Sequence, residues 1–145
     1  MTIGTDDKIE IHELAARTYI ALDGEDAAGF AATFAEDGVF VAPYGEFQGP
    51  EAVQTFIASH IAAGKEDGVR HVLSNHVVDV HEDGARYRFY IVKMNIQTGP
   101  VAIATAGGDC IVSKTSGGWR FKRFQLNIDP AMFGDQKPVV AAKAA

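Results

Sequence analysis

Two side chains far apart in the chain, Asp23 and His71, have the types needed for acid–base chemistry. A carboxylate at the C-terminal end of a helix faces the negative pole of the helix dipole, which costs roughly 0.3 to 1 kcal/mol unless a cation compensates. An imidazole titrates at about pH 6.5, so it can supply that cation or act as a base when neutral. Spacing alone favours a structural role, with Asp23 in an Asp-Gly helix stop and His71 as a strand residue bonded to it.

Further candidate site residues surround this pair in the predicted elements. Tyr19 lies one helical turn before Asp23, so it faces the same cavity, either as core packing or as a hydroxyl donor. Asn75 shares an alternating strand face with His71, which predicts either a substrate contact or a sheet-edge amide. Tyr44 follows Ala42 on one strand face and is predicted to supply a polar group to the cavity. The predicted cavity walls are Phe40, Phe56, Phe89, Tyr90, Met94, Ile103 and Phe124, with Asn127 and Arg123 at the mouth, where a surface salt bridge is the alternative for Arg123.

Three helical patterns come before the long strands. Apolar residues recur every three or four positions from Lys8 to Leu22, and Gly24 is predicted to end this helix in a left-handed conformation. Asp26 caps a second, shorter helix that extends to Phe34. A strand at 38–42, a loop at 43–49 and a third helix at 50–61 follow.

From residue 69 onward, apolar residues occur at every second position instead of every third or fourth. This alternation predicts strands at 69–81, 85–97, 101–115 and 119–128, joined by glycine-containing hairpin turns. Consecutive hairpins make an antiparallel meander. Helices grouped before such a sheet predict an α+β fold in which a strongly bent sheet wraps the helices.

Size and composition predict one soluble domain. The chain has 145 residues and a net charge of −6 with scattered basic residues, which argues against nucleic acid as a partner. No apolar run approaches the roughly 20 residues that span a bilayer, and the N-terminus lacks a signal-peptide pattern, so a cytoplasmic protein without membrane contact is expected. The lone Cys110 is expected to be a small core residue.

No metal or cofactor is expected. His71 and His76 lie five residues apart on one strand, which predicts opposite faces, and Asp79 and His81 lack an evident third ligand. Phosphate-binding glycine loops and dinucleotide motifs are absent from the sequence, so any chemistry is cofactor-independent.

The chain resembles the SnoaL-like branch of the nuclear transport factor 2 superfamily. The resemblance rests on ALDGEDAAGFAATFAEDGVFVAPYGEFQGPEAVQTF, RHVLSN and GGWRFKRFQLNID, and it divides the chain into an N-terminal extension (1–8), a SnoaL-like domain (9–130) and a C-terminal tail (131–145). It implies a cone-shaped α+β barrel, with three N-terminal helices packed in a strongly bent antiparallel sheet. It also implies a homodimer or homotrimer formed through the open sheet face.

The resemblance also gives Asp23 and His71 a role. They match the catalytic Asp and His of enzymes similar to scytalone dehydratase and hexachlorocyclohexane dehydrochlorinase, at an interval of 48 residues. Ala42 stands where ketosteroid isomerases place a catalytic aspartate, and Leu22 stands where the dehydratase has a tyrosine.

The function implied is a cofactor-independent lyase of the dehydratase type, acting on a hydrophobic, aromatic or polycyclic small molecule. Neutral His71 would remove a proton while Asp23 holds one ring tautomer and stabilises the imidazolium. An isomerase or cyclase using the same pair and a non-catalytic small-molecule-binding module are the open alternatives.

Overall fold

The computed structural model describes residues 2–133, so residues 134–145 of the predicted tail (131–145) lie outside the described residues. The helices are α1 (Thr5–Asp23), α2 (Ala27–Ala31) and α3 (Gly49–Ala62). The strands are β1 (Phe34–Ala42), β2 (Gly45–Gln48), β3 (Val69–His81), β4 (Gly84–Asn95), β5 (Val101–Thr115) and β6 (Gly118–Ile128). A short 3-10 helix, Pro130–Phe133, follows β6.

Helix α1 begins inside the predicted N-terminal extension. The carboxylate of Asp7 accepts a hydrogen bond from the backbone N–H of Gly4 at 3.1 Å, which satisfies a free donor at the helix start. The same side chain accepts a hydrogen bond from the indole of Trp119 at 3.0 Å and so ties the first turn to β6. The first turn of α1, which was expected to precede the domain, is therefore packed against it.

The end of α1 also differs from the prediction. Gly24 has a φ of −88°, whereas Glu25 has a φ of 56° and is the left-handed residue of this turn. The backbone N–H of Asp26 donates to the carbonyl of Ala21 at 2.8 Å, and the Asp26 side chain then accepts from the N–H of Gly29, which confirms the predicted cap of α2.

The sequence predicted that helix α2 extends to Phe34. In the structure it ends at Ala31. Phe34 is the first residue of β1 and pairs with Phe121 of β6. The backbone N–H of Phe121 donates to the carbonyl of Thr33 at 2.9 Å just before this pair. The longer β1 therefore depends on a distant strand that local helical periodicity does not include.

The sheet has six strands in the order β2-β1-β6-β5-β4-β3. Strands β3 to β6 form the predicted antiparallel meander, and the α+β class with three helices is confirmed. Two details differ from the expectation. Strand β1 pairs with β6 in parallel, and β2 occupies the segment predicted as a loop, so the sheet is mixed and unclosed.

Bulges in two strands shift which side chains face the helices. In β3 the register with β4 shifts between Ser74 and Val77, and Asn75 has a left-handed φ of 58°. In β6 the partner of Ile111 is Arg123 and the partner of Val112 is Phe121, which leaves Lys122 as the extra residue. Side-chain alternation therefore changes phase at both places.

The core lies between the helices and the inner face of the sheet. Its largest fully buried side chains are Tyr87, Phe30, Phe89, Phe121 and Phe124. Cys110 is 1% exposed and belongs to this core, as expected. Within residues 2–133, no helix has the length and apolar character required to cross a membrane.

Candidate active site

The last residue of α1 and the third residue of β3 meet through their side chains. Asp23 Oδ1 lies 2.6 Å from His71 Nδ1, and Asp23 Oδ2 accepts the backbone N–H of His71 at 3.0 Å. Their side chains are only 18% and 8% exposed. Because an ionised carboxylate only accepts hydrogen bonds, Nδ1 carries the hydrogen, and the lone pair of neutral His71 is at Nε2.

His71 and Tyr19 lie on the wall of a cavity of about 390 Å³. This volume is within the range of roughly 300 to 1,000 Å³ that is typical of small-molecule sites. The apolar wall comes from both helical and strand residues, including Leu22, Phe30, Phe40, Phe56, Ile57, Ile91 and Leu126. Phe40 and Phe56 therefore lie where the sequence predicted them.

Tyr19 packs directly beside the imidazole. The two ring centroids are 4.9 Å apart, and Tyr19 is 4% exposed. Burial, with a smaller contribution from neighbouring negative charge, raises the pKa of the Tyr19 hydroxyl well above its usual value. Tyr19 is therefore a neutral phenol at physiological pH, able to donate a hydrogen bond.

An ion pair that the sequence analysis missed lies on the same cavity wall. Glu66 is 6% exposed, and its Oε2 lies 3.3 Å from Lys93 Nζ and 3.9 Å from His71 Nε2. Lys93 Nζ also donates to the carbonyl of Lys65 at 2.7 Å. Strand alternation from Phe89 indicates Lys93 as an inward residue, whereas Glu66 precedes β3 in a turn that resembles an ordinary solvent loop.

Aromatic rings cluster at another part of the cavity wall. Tyr44, which is 61% exposed, lies 6.1 Å from the ring of Phe56 and 5.5 Å from that of His60. Burial is the main cause that lowers the pKa of His60, so this imidazole is neutral at physiological pH. Tyr44 lines the cavity as predicted, and His60 is an additional polar group there.

The bulges place three predicted site residues outside the cavity. Asn75 is the left-handed residue of the β3 bulge and is exposed, while His76 faces inward in its place. Arg123 and Asn127 follow the β6 bulge and are exposed on the outer face, where both contact Gln125. All three lie outside the cavity because the bulges interrupt the alternation on which the prediction relied, and for Asn75 and Arg123 this fits the surface roles that the sequence left open.

Other predicted wall residues also lie elsewhere. Tyr90 is 61% exposed and Ile103 is 43% exposed. Met94 does not line the cavity; the neighbouring residue of the same strand, Lys93, does. Tyr90 and Met94 alternate out of phase with the buried Phe89, and a register shift opposite Met94 displaces Ile103. Phe89 and Phe124 are 1% and 0% exposed and belong to the core, where they do not line the cavity.

A second cavity of about 410 Å³ lies between α1 and the β3 edge strand and shares Tyr19 and His71 with the first. His76 also lines it, so the prediction that His71 and His76 face opposite ways was wrong. The Nδ1 of His76 is 2.7 Å from the Tyr87 hydroxyl. Within residues 2–133, no group of three or more His, Cys, Asp or Glu side chains is arranged to hold a metal ion.

Comparison with known proteins agrees with the family resemblance and the fold. The family model of the SnoaL-like domain matches residues 5–125. A protein of unknown function with a cystatin-like fold from Nostoc punctiforme is 30% identical, with a TM-score of 0.81 over 91% of this chain and 98% of that one. An NTF2-like protein from Novosphingobium aromaticivorans is 26% identical, with a TM-score of 0.74 over 85% and 82%. Aln2 from a Streptomyces species is 24% identical, with a TM-score of 0.78 over 92% and 98%. No curated protein matches the chain.

Proposed function

The chain belongs to the SnoaL-like domain family, and on that premise we propose that it is a cofactor-independent lyase that eliminates a small group from a hydrophobic molecule. The observation that supports this proposal best is the 2.6 Å contact between Asp23 and His71 on the wall of an apolar cavity. The family and the cavity support a protein that binds or converts a small molecule. The elimination reaction is a more specific proposal, and it depends on the Asp23–His71 contact.

In this mechanism, neutral His71 is the general base. Its Nε2 takes a proton from a substrate carbon, and the electrons of the broken C–H bond form the new double bond. When the leaving group is a hydroxyl, Nε2–H returns the proton to it, the C–O bond breaks and water departs. A halide leaves with the electrons of its bond to carbon, and the proton on Nε2 then passes to solvent. A general base of this kind supplies on the order of 10² to 10⁴ in rate, so positioning by the cavity must supply the remainder.

Asp23 has two tasks in the proposed reaction. Its Oδ1 holds the Nδ1–H tautomer, which leaves Nε2 free to accept the proton, and its charge stabilises the imidazolium that forms. Its Oδ2 accepts the His71 backbone N–H, so the carboxylate and the start of β3 are held as one unit. Both oxygens of Asp23 are therefore used to orient a single imidazole.

The proposed substrate class follows from the walls. Phe40, Phe56 and Ile57 offer aromatic and aliphatic surface, and the volume of about 390 Å³ suits a molecule with one or a few rings. Ala42 also lines the cavity, so β1 carries no carboxylate where a ketosteroid isomerase would have one. This favours the Asp23–His71 pair as the acid–base group and a dehydratase-like reaction.

A homo-oligomer is a further part of the proposal. Val72 and Tyr90 are 53% and 61% exposed on the outer face of the sheet, where a second copy of the chain can cover them. Light scattering of the purified protein tests this directly, because a homodimer or homotrimer has two or three times the mass of one chain. A monomer at micromolar concentration would contradict it.

The catalytic test uses product mass and matched variants. The protein is incubated with a panel of hydroxylated and halogenated one-ring to three-ring compounds, and products are identified by mass spectrometry. Elimination predicts loss of water or hydrogen halide, and both His71→Gln and Asp23→Asn should lower turnover by about 10² or more. His76→Gln is the control, because it removes a neighbouring histidine that is bonded to Tyr87 and not to Asp23.

Three outcomes would overturn the proposal. A product of unchanged mass would indicate an isomerase or cyclase instead. Binding of panel compounds without conversion would indicate a binding module. Full turnover by both His71→Gln and Asp23→Asn would show that the pair does not carry the reaction.

A further inference from the structure

The Nε2 atom of His71 faces a second carboxylate. Glu66 Oε2 lies 3.9 Å from it, on the side of the ring opposite Asp23. While His71 is neutral, Nε2 has a lone pair and Oε2 accepts only, so these two atoms cannot form a hydrogen bond with each other. Once Nε2 is protonated, it is a donor that faces an acceptor.

Glu66 is unusual in its burial and its partners. Its side chain is 6% exposed, and Oε2 accepts no hydrogen bond from any residue within the described range 2–133. Lys93 Nζ is 3.3 Å away and forms an ion pair without hydrogen-bond geometry, and this ammonium is itself held by the carbonyl of Lys65. A buried carboxylate oxygen without a donor costs free energy, which a proton on the facing nitrogen would offset.

The charge balance of the cluster changes with the proposed proton transfer. With His71 neutral, the carboxylates of Asp23 and Glu66 stand against the single ammonium of Lys93, which leaves one negative charge uncompensated. With His71 protonated, the four groups sum to zero. Low-dielectric surroundings make such a difference larger than it would be in water.

We infer that Glu66 is a positioning residue for the proposed reaction, acting through His71 to stabilise the imidazolium that forms when the proton is taken. The role rests on the proposed function, since it matters only if His71 accepts a proton from substrate. An interaction that is unfavourable before proton transfer and favourable during it lowers the barrier without strengthening substrate binding. Lys93 Nζ, 3.3 Å from Oε2, is the cation that pairs with Glu66 beside the imidazole.

Other ionisable groups face the same imidazole or the cluster around it. They are Tyr19, His12 and Glu13 on α1, His60 on α3, Lys65 in the turn before β3, and His76 on β3. Tyr19 is neutral because burial raises the pKa of its hydroxyl, and burial lowers the pKa of His60 and of His76. Glu13 lies in the second cavity, is 58% exposed and is paired with Arg17.

The test measures the titration of His71 directly, without substrate, by NMR of protein labelled with ¹⁵N-histidine. Glu66→Gln should move the His71 titration midpoint down by about one pH unit, because an opposite charge within about 4 to 6 Å favours the charged form. Lys93→Met should move it up, since the ammonium that opposes the imidazolium is gone. Glu13→Gln removes an exposed carboxylate of the second cavity and should move it much less.

The opposite directions separate an electrostatic role from structural damage, which would not shift the midpoint up in one variant and down in the other. If neither Glu66→Gln nor Lys93→Met moves the midpoint, the inference is wrong. If Glu66→Gln does not fold, Glu66→Asp decides the matter, because it keeps the negative charge but draws it away from Nε2 and should lower the midpoint by a smaller amount.

Kinetics then connect the residue to turnover. With a substrate in hand, Glu66→Gln should lower kcat by about tenfold with little change in KM, and Glu66→Asp should recover part of the loss. An unchanged kcat would refute the positioning role even where elimination is established. Conversely, shifted titration midpoints in a protein that eliminates nothing would refute the proposed function and leave the electrostatic coupling intact.

Discussion

Replacing Asp23 by asparagine should reverse which ring nitrogen of His71 carries the hydrogen. The backbone N–H of His71 donates to Oδ2 at 3.0 Å and can do nothing but donate, so the side-chain position there must stay an acceptor. In Asp23→Asn the new amide oxygen therefore takes that position, and the NH₂ group faces Nδ1, where Oδ1 was 2.6 Å away. Two donors cannot share so short a contact, so Nδ1 loses its hydrogen and Nε2 gains it.

The expected loss of turnover in Asp23→Asn follows from the change of tautomer. The Nε2–H tautomer cannot accept a proton at the nitrogen that lines the cavity, and the variant also lacks the negative charge that stabilises the imidazolium. In a serine protease triad the equivalent Asp-to-Asn change costs about 10⁴ in kcat through the same wrong tautomer. For Asp23→Asn we expect a loss on the order of 10³, since Glu66 still contributes a negative charge 3.9 Å from Nε2.

The tautomer is read by ¹⁵N NMR of labelled histidine above the titration midpoint, with no substrate present. The natural protein should show the hydrogen on Nδ1 of His71, and Asp23→Asn should show it on Nε2. Asp26→Asn is the matched control, because this aspartate caps α2 through the N–H of Gly29 and does not touch the imidazole. An Asp23→Asn variant that kept the hydrogen on Nδ1, or kept full turnover, would refute the reasoning.

Three further predictions concern the scaffold. Gly108→Ala should lower the free energy of unfolding by about 1 to 3 kcal/mol in urea titrations, because a Cβ there would lie 2.6 Å from the Phe89 ring; Gly107→Ala, with 3.6 Å to its nearest neighbour, should be tolerated, and equal losses would contradict this. Asn75→Ala should cost about 1 kcal/mol at its φ of 58° while Asn75→Gly should not, so equal stabilities would refute the strain argument. The hydrogen bond from the indole of Trp119 is the largest cause that lowers the pKa of Asp7. The ionised Asp7 carboxylate therefore stabilises the fold above about pH 4, and this contribution is lost as the pH falls through the lowered pKa. In Asp7→Asn the free energy of unfolding should depend less on pH below about pH 4, and an unchanged pH dependence would contradict this.

Much of the fold follows from local pattern. The buried face of α1 has the three-and-four spacing that the sequence predicts, and the Asp26 cap and the hairpin strands lie near their expected positions. These features depend on residues within a few positions of each other. The Asp23–His71 pair was identified through resemblance to a family, since spacing alone favoured a purely structural contact.

The rest depends on contacts between distant segments. A bulge adds one residue to a strand and reverses the facing of every side chain after it, which is why Arg123 points outward, whereas Asn75 is itself part of the bulge in β3. The pairing of β1 with β6 is parallel and joins two segments from opposite ends of the domain, such as Phe40 with Phe124, so no local period indicates it.

The residues of the candidate site can likewise be separated into those that the sequence indicated and those that only the tertiary structure brought together. The amino-acid sequence by itself determined the helix faces, the hairpin order and which side chains could exchange a proton. Only the tertiary structure placed the buried Glu66–Lys93 pair against His71, because the turn before β3 is held to the end of β4 by the bond from the Ile96 N–H to the Gly68 carbonyl at 3.0 Å. Electrostatic contact acts through space, and distance through space is set by strand pairing rather than by position along the chain.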